Sequence, residues 1–441
     1  MTNVRFWSRL LCLGIAIGLT LCQPGLAVEN TTDGKNLLDL SLEDILGMDF
    51  STNEAKDGIT MYGYMSSRLE KVYGELSVVD GQTVKTNAPH EWSLPYFNMF
   101  FRANPGKNIE TFVNVASEDL EVRNMWGNIK LNNALQVKVG KVYRPFDLFN
   151  EKLDEVPTYL GIEPPELFDQ DHLLVPRLTT FVLHGDIPTS NATYSYALCT
   201  DNGENGPTEN VTPLGWDVRA KINNKAVVGF SGYFSNLGDE GVTSEVAVGD
   251  GSPSGGAMPW VSSDKYTVYG GFTEIQVKDL LIKAAYYQAD HKVVRDPASV
   301  LTIANSTNLN THQKENFFGD NSGLATASLT EADVVQNADY TVTTGYVQLG
   351  YFFYTPHGTF GPYAFLDWMH HPETIQKKTY GGDNEAGLTD DGKFVKYTLG
   401  LSYKPVDRVA IKLDHSAHFQ KFNGKTESYP EFRLDFSYLF K

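Results

Sequence analysis

The chain has 441 residues, with 54 acidic against 36 basic side chains, a net charge of −18, and 12% aromatic residues. That acid excess argues against nucleic acid as a partner. Beyond the N-terminus no run approaches the ~18 to 20 consecutive apolar residues of a spanning helix, so helical membrane spans are excluded.

The first residues read as an export signal: Arg5 and Arg9 flank its start, an apolar stretch runs from Leu10 to Cys22, and Gly25-Leu26-Ala27 supplies a small-residue cleavage site. The cut is placed after Ala27, giving a signal over 1–27. Lipid anchoring on Cys22 is the alternative, opposed by the bulky Leu21 before it. Loss of the signal's two arginines leaves 34 basic against 54 acidic side chains, a net charge of −20. Only Cys199 survives, so no intramolecular disulfide forms, which points toward a bacterial envelope. The Asn-x-Ser/Thr sites at Asn30, Asn191, Asn210 and Asn305 are then chance matches.

Residues 28–58 form a polar lead-in around NLLDLSLEDILGMDF, where Ser41 and Asp44 are placed to cap a short helix carrying Leu42, Ile45 and Leu46. From Ile59 onward the 3.6 period is almost absent and period-two segments follow one another. They are 59–69, 96–104, 109–117, 121–131, 134–143, 178–187, 190–200, 214–222, 225–235, 264–275, 279–290, 338–353, 360–371, 393–403, 408–418 and 430–440. That makes sixteen strands; the irregular patterns of 121–131 and 264–275 leave fourteen or eighteen open. SVLTIANST, inside the longest connection, is a further strand candidate.

The connections alternate in length. One series holds 4, 2, 2, 2, 3, 6 and 4 residues; the other holds 26, 3, 34, 13, 28, 47, 21 and 11. A soluble sandwich has no reason to sort its turns by end, whereas an outer-membrane barrel has short periplasmic turns and long outer loops. Strands of ~9 to 11 residues also suit a tilted crossing of hydrocarbon. The fold expected is all-β: a transmembrane antiparallel barrel over 59–441. In the last strand, Phe432, Leu434, Phe436, Tyr438 and Phe440 alternate with Arg433, Asp435 and Ser437, one face for lipid and one for water.

With the signal, the leader, the strand ladder, the block VGKVYRPFDLFNE from Val139 to Glu151 and an aromatic closing strand in view, the sequence resembles the Gram-negative porins, and among them the phosphate-selective family. The family's Gly-basic-aromatic strand end followed by Pro-Phe and Asn/Glu matches Gly140, Lys141, Pro145, Phe146, Asn150 and Glu151. Lys441 after Phe440 departs from the aromatic final residue usual in porins. The resemblance implies the outer membrane of a Gram-negative bacterium, a homotrimer, passive diffusion of small hydrophilic solutes or ions, and no cofactor. It also implies that the third outer loop, 144–177, folds inward as a constriction. That loop carries Asp147, Glu151, Asp154, Glu155, Glu163, Glu166, Asp169 and Asp171 against three basic residues. An acidic solvated cap or a protomer contact is the alternative role.

Strand parity points Arg102, Lys138, Arg219, Lys221, Lys283, Lys396, Lys412 and Arg433 inward as pore-lining bases, with Glu110, Asp186, Asp217, Asp414 and Asp435 as pore-lining acids. A basic wall opposite an acidic loop would set a transverse field that selects among ions. The plain reading makes each a hydrated side chain paired with a neighbour, as Arg433 with Asp435. No catalytic or nucleotide-binding motif is present. Asp414, Ser416 and His418 share one face of LDHSAHF but are spaced ~7 Å apart, too far for a proton relay. His370-His371 with Glu373 and the acidic turn GGDNEAGLTDDGK lack specific metal-ligand spacing, and no metal is expected. A non-conducting barrel for adhesion or envelope structure, and a secreted soluble β-hydrolase, remain the other readings.

Overall fold

The structure is a computed structural model that describes residues 46, 58–79, 82–87, 91–92, 96–116, 121–168, 173, 177–201, 212–223, 225–237, 260–306, 309–373, 389–422 and 424–441. The signal, the leader helix apart from Leu46, Asp169 and Asp171 lie outside them. Sixteen strands make the barrel: β1 (Thr60–Val72), β2 (Tyr96–Gly106), β3 (Ile109–Ala116), β4 (Glu121–Asn132), β5 (Leu135–Tyr143), β6 (Arg177–Pro188), β7 (Ala192–Asp201) and β8 (Leu214–Ile222). They continue as β9 (Ala226–Leu237), β10 (Val261–Val277), β11 (Leu280–Arg295), β12 (Tyr340–Tyr351, extended by Phe353–Thr355), β13 (Gly358–His370), β14 (Lys393–Val406), β15 (Val409–Phe422) and β16 (Lys425–Phe440).

Each strand pairs antiparallel with its chain neighbours. Closure comes from β1, which pairs Thr60–Ser66 with β2 and Gly63–Val72 with β16. Among the described residues the barrel sheet has no open edge, which is what a strand-built membrane span requires.

Burial follows the two-residue period. On β14, Phe394, Lys396, Thr398 and Ser402 are buried while Tyr397 and Leu399 are exposed. Around the barrel, Met61, Leu131, Val139, Tyr194, Phe230, Leu399 and Tyr438 are between 48 and 62% exposed, whereas Gln348, Asp367, Lys412 and Asp435 are 0 to 2% exposed. Apolar outside and polar inside is the inverse of a soluble protein and the signature of an outer-membrane barrel.

Three connections differ from expectation. The eleven-residue gap before the last strand is closed to 423–424, because β15 and β16 run on to Phe422 and back from Lys425, with Gly424 at φ 72° taking the turn. SVLTIANST is not a strand: Pro297–Ser306 is an α-helix, α1, started by Pro297 in a first turn where its missing N–H costs nothing. A second helix, α2 (Thr311–Phe318), carries a capping box between Asn310 and Gln313. The first outer connection holds a small hairpin, Glu75–Val79 with Gln82–Thr86; the Asp80-Gly81 pair between them is the sequence signal for it.

α1 and α2 pack Val300, Ile303, Phe317 and Phe318 on Trp260, Val261 and Val293 at the long-loop end of the barrel. Arg295, fully buried, ties this layer down: its guanidinium donates to both Glu373 carboxylate oxygens at 2.7 Å and to the carbonyls of Asn316 and Val335.

Candidate functional site

The acidic third loop leaves β5 at Tyr143. Phe146, Phe149, Tyr159, Leu167 and Phe168 pack on inward-facing Tyr233, Tyr266, Phe272, Tyr287, Tyr346 and Phe365 of β9–β13. This explains why an acidic loop is also rich in Leu, Phe and Pro. Asp147 opens a one-turn helix (Asp147–Asn150) at φ 65°, a left-handed conformation that Asp and Asn tolerate better than other non-glycine residues. Its N–H donates to Ser231 Oγ at 3.1 Å, and its carboxylate accepts from the Phe149 N–H and, at 3.3 Å, from Tyr287 Oη. Burial pushes the Asp147 carboxyl up to about 7.

The loop's other acids meet charges and donors on the remaining wall. Glu151 pairs with Arg219 of β8. Burial opposes its ionisation, but Arg219, aided by Lys138 and Lys152, holds its carboxyl below the usual range. Asp154 is held by three inward groups: Asn98 donates to its carbonyl, and Asn124 and Arg123 to its carboxylate, all at 3.2 Å. Glu163 pairs with Arg433 of β16, with Lys396 of β14 at 3.4 Å and with Arg68 of β1 at 3.6 Å. Burial alone would raise Glu163; the three cations instead hold it at about 2. Glu166 accepts from Lys396 Nζ at 2.7 Å, and its N–H donates to Asp367 at 2.7 Å. Glu155 contributes turn contacts, its carbonyl accepting from Thr158.

The loop backbone is bonded as closely. Lys412 Nζ donates to the carbonyls of Val156 and Gly161, Arg68 to that of Ile162, and Gln348 to that of Leu160, while the Ile162 N–H donates to Asp414 at 3.0 Å. A segment of about twenty residues thus contacts inward-facing side chains of β1, β2, β4 and β8–β16. Its apolar side lies on one sector, while Glu163 and Glu166 lie on Arg68, Lys396 and Arg433, which with Lys412 neighbour one another on β14–β16 and β1.

The thirteen wall residues named from parity fall into three groups. Lys396, Lys412, Arg433, Arg219 and Asp414 meet the loop. Asp217 lies behind it, accepting from Ser231 Oγ at 2.7 Å and pairing with Arg219. The others meet neighbours on the wall: Arg102 pairs with Glu110, Lys283 with Glu274 at 3.0 Å, Asp186 accepts from Ser195 Oγ at 2.6 Å, and Lys138 lies over the Trp126 ring at 4.3 Å; Lys221 is half-buried. Arg433 does not pair with Asp435. It takes Glu70 across the strand pair, Glu163 of the loop and Glu431 on its own strand, and Asp435 accepts from Ser437 Oγ at 2.6 Å.

Several inward residues were not among those named. Asp201, Asp264, Glu274, Asp367 and Glu431 also face inward and are buried, so the wall carries more acids than the five named. Arg123 has the parity of a lipid-facing position. A β-bulge where the register jumps from Asn114↔Asn124 to Val115↔Val122 leaves it as the extra residue, free to reach Asp154. Asn98, a lone amide between aromatic residues in YFNMFF, was the one visible hint of the anchor beneath Asp154.

The features considered for catalysis and metal binding are otherwise engaged. Asp414 accepts from Tyr363, Ser416 bonds Thr398 at 2.8 Å and His418 bonds Glu431 at 3.1 Å; none bonds another of the three. Glu373 is taken by Arg295, Trp260 and Asn316. No cluster of three or more His, Cys, Asp or Glu side chains suited to a metal occurs among the described residues. Most of GGDNEAGLTDDGK lies outside them.

The sequence matches no known protein-family model and no curated protein. Among solved structures, the chain is similar to the outer membrane channel DcaP of Acinetobacter baumannii, with TM-score 0.48 and 12% identity over 87% of this chain and 97% of that one. It is similar to an anion-selective porin from Comamonas acidovorans, with TM-score 0.49 and 10% identity over 87% and 99% of the two chains. A Salmonella typhi OmpF complex with daunomycin gives TM-score 0.49 and 12% identity over 88% and 98%. Strand number and closure follow from this chain's own register.

Proposed function

We propose that this protein is an outer-membrane porin through which small hydrophilic solutes or ions diffuse passively. The loop 144–177 is its constriction, and its acids face a basic sector of the wall. The observation that carries this reading is the division of the loop, aromatic side on β9–β13, Glu163 and Glu166 on Arg68, Lys396 and Arg433, and backbone carbonyls on Lys412. Fixed charges of both signs at the narrowest level sort ions by charge and orient dipolar solutes. No bound cofactor has a part in this.

A homotrimer fits the exterior. The exposed tyrosines within the barrel strands, Tyr194, Tyr269, Tyr286, Tyr351, Tyr354, Tyr397 and Tyr438, fall on β7–β16, and among the described residues none falls within β1–β5, with Tyr73 just past the end of β1. Tyrosine belts mark contact with lipid headgroups, so the sector without them suits a protein neighbour. The ordered helical layer on Arg295 and Glu373 favours, as a second reading, a barrel whose outer surface serves adhesion. Single-channel recording of detergent-purified, heat-modifiable protein in a planar bilayer, with reversal potential across a KCl gradient, tests both. Discrete open steps support the porin; silence from folded protein leaves the adhesive barrel.

A further inference from the structure

On the outside of the barrel, at the long-loop end of β10 and β11, Lys265 stands directly opposite Lys292. Their strand neighbours Asp264, Tyr266, His291 and Val293 are buried on the inward face, and both lysines are exposed on the other. Cross-strand partners hold their Cβ atoms ~5 Å apart, so two ammonium groups placed there repel one another. Among the described residues neither side chain has a carboxylate or hydrogen-bond partner. The outward-facing acid of these two strands is Asp290, opposite Thr267. Its carboxylate is taken instead by Gln288 at 2.8 Å, Thr341 at 2.9 Å and Tyr269 Oη at 3.0 Å.

The depth of the pair follows from its neighbours. Tyr269 reaches the level of Thr267 and Asp290 with its hydroxyl, as ring residues do at lipid headgroups. The lysines lie one outward-facing position beyond, ~7 Å further toward the outer loops. On the side of the bilayer core Phe234, opposite Thr267, is followed by Phe230 and Tyr286, all exposed. An apolar strip, a tyrosine hydroxyl and two adjacent cations therefore succeed one another along the lipid-facing surface.

We propose that Lys265 and Lys292 clamp the headgroup of a phosphorylated lipid of the outer leaflet, with one phosphate seated between the two ammonium groups and an acyl chain lying on Phe234, Phe230 and Tyr286. A phosphate monoester carries close to two negative charges at neutral pH, which compensates both cations at once. Each ammonium brings three donors to a tetrahedral set of acceptor oxygens. The apolar strip beneath the pair selects a lipid over a free ion, because only a lipid adds chain contacts to the charge contact. Loss of both charges should weaken binding by about 30-fold.

The clamp lies outside the barrel and does not depend on conduction. Its test is a titration of the full, detergent-folded chain with diphosphoryl lipid A, and separately with inorganic phosphate, with heat-modifiability confirming the fold of each variant. Lys265→Gln with Lys292→Gln should lower the affinity for the lipid by about 30-fold, and Lys265→Arg with Lys292→Arg should keep it within a few-fold of the native protein. Lys225→Gln, an exposed lysine at the short-turn end, should leave it unchanged. Equal affinity in the native protein and the double glutamine variant overturns the clamp. An equal loss in Lys225→Gln reduces the effect to net charge and overturns it as well. Inorganic phosphate bound as tightly as the lipid, and lost with the same two lysines, overturns the assignment to a lipid and leaves an ion site.

Discussion

Replacing Glu163 by glutamine should free the constriction loop without unfolding the barrel. Glu163 is the point where three wall cations converge, and its carboxyl is held at about 2 against a usual 4.5. That difference corresponds to roughly 3 kcal/mol of extra attraction for the ionised form. Glutamine keeps the shape and removes the charge. Arg433 retains Glu70 and Glu431, and Lys396 retains Glu166, so the wall stays partly compensated while the loop loses its central clamp. A loss of 2 to 3 kcal/mol raises the open fraction of the loop by about 30- to 150-fold, which hydrogen exchange of amides 156–166 would read directly. The sign with pH is set by the depressed pKa. In the native protein the clamp is at full strength above about pH 4.5 and is lost as pH falls through about 2, whereas the variant should lose Glu163's share of that dependence and keep only the part due to Glu151. The reversal potential should move toward anions, because one negative charge leaves the narrowest level. Unchanged exchange and unchanged reversal potential in folded E163Q would refute the clamp.

Asp147 gives the opposite pH signature. Its carboxyl is raised to about 7 by burial, so the seated loop holds the proton more tightly than the released one. Seating should strengthen as pH falls from about 7 to about 4, by about 1.4 kcal/mol per pH unit, and Asp147→Asn, which tolerates φ 65°, should abolish that slope in loop exchange measurements. Arg295→Met strands Glu373 beneath the helical layer and should cost about 3 to 5 kcal/mol locally, read as protease cleavage within 296–339; adding Glu373→Leu should restore resistance. Leu399→Arg, on the exposed face of β14, should cost about 2 to 4 kcal/mol of barrel stability, read as a lower urea midpoint in lipid vesicles, whereas Ser402→Arg on the inward face should not show that lipid penalty.

The sixteen strands, their facing and the sorting of their connections were legible in the sequence, because each depends on neighbours two residues apart and on turn length. Parity proposes the wall residues from Arg102 to Arg433 on the same grounds. Local pattern fails where the register slips or where a distant partner decides. Arg123 reaches Asp154 only because a bulge re-aims it. Glu163 finds Arg68 and Arg433 only because closure of the barrel brings β1 beside β16. SVLTIANST is β-rich in composition, yet lies as a helix because Trp260, Val293 and Phe317 offer its apolar side a place to pack. Alternation determined the barrel, since lipid and water are met residue by residue along a strand. Only the tertiary structure decided where the third loop rests, since its contacts join residues tens to hundreds of positions apart.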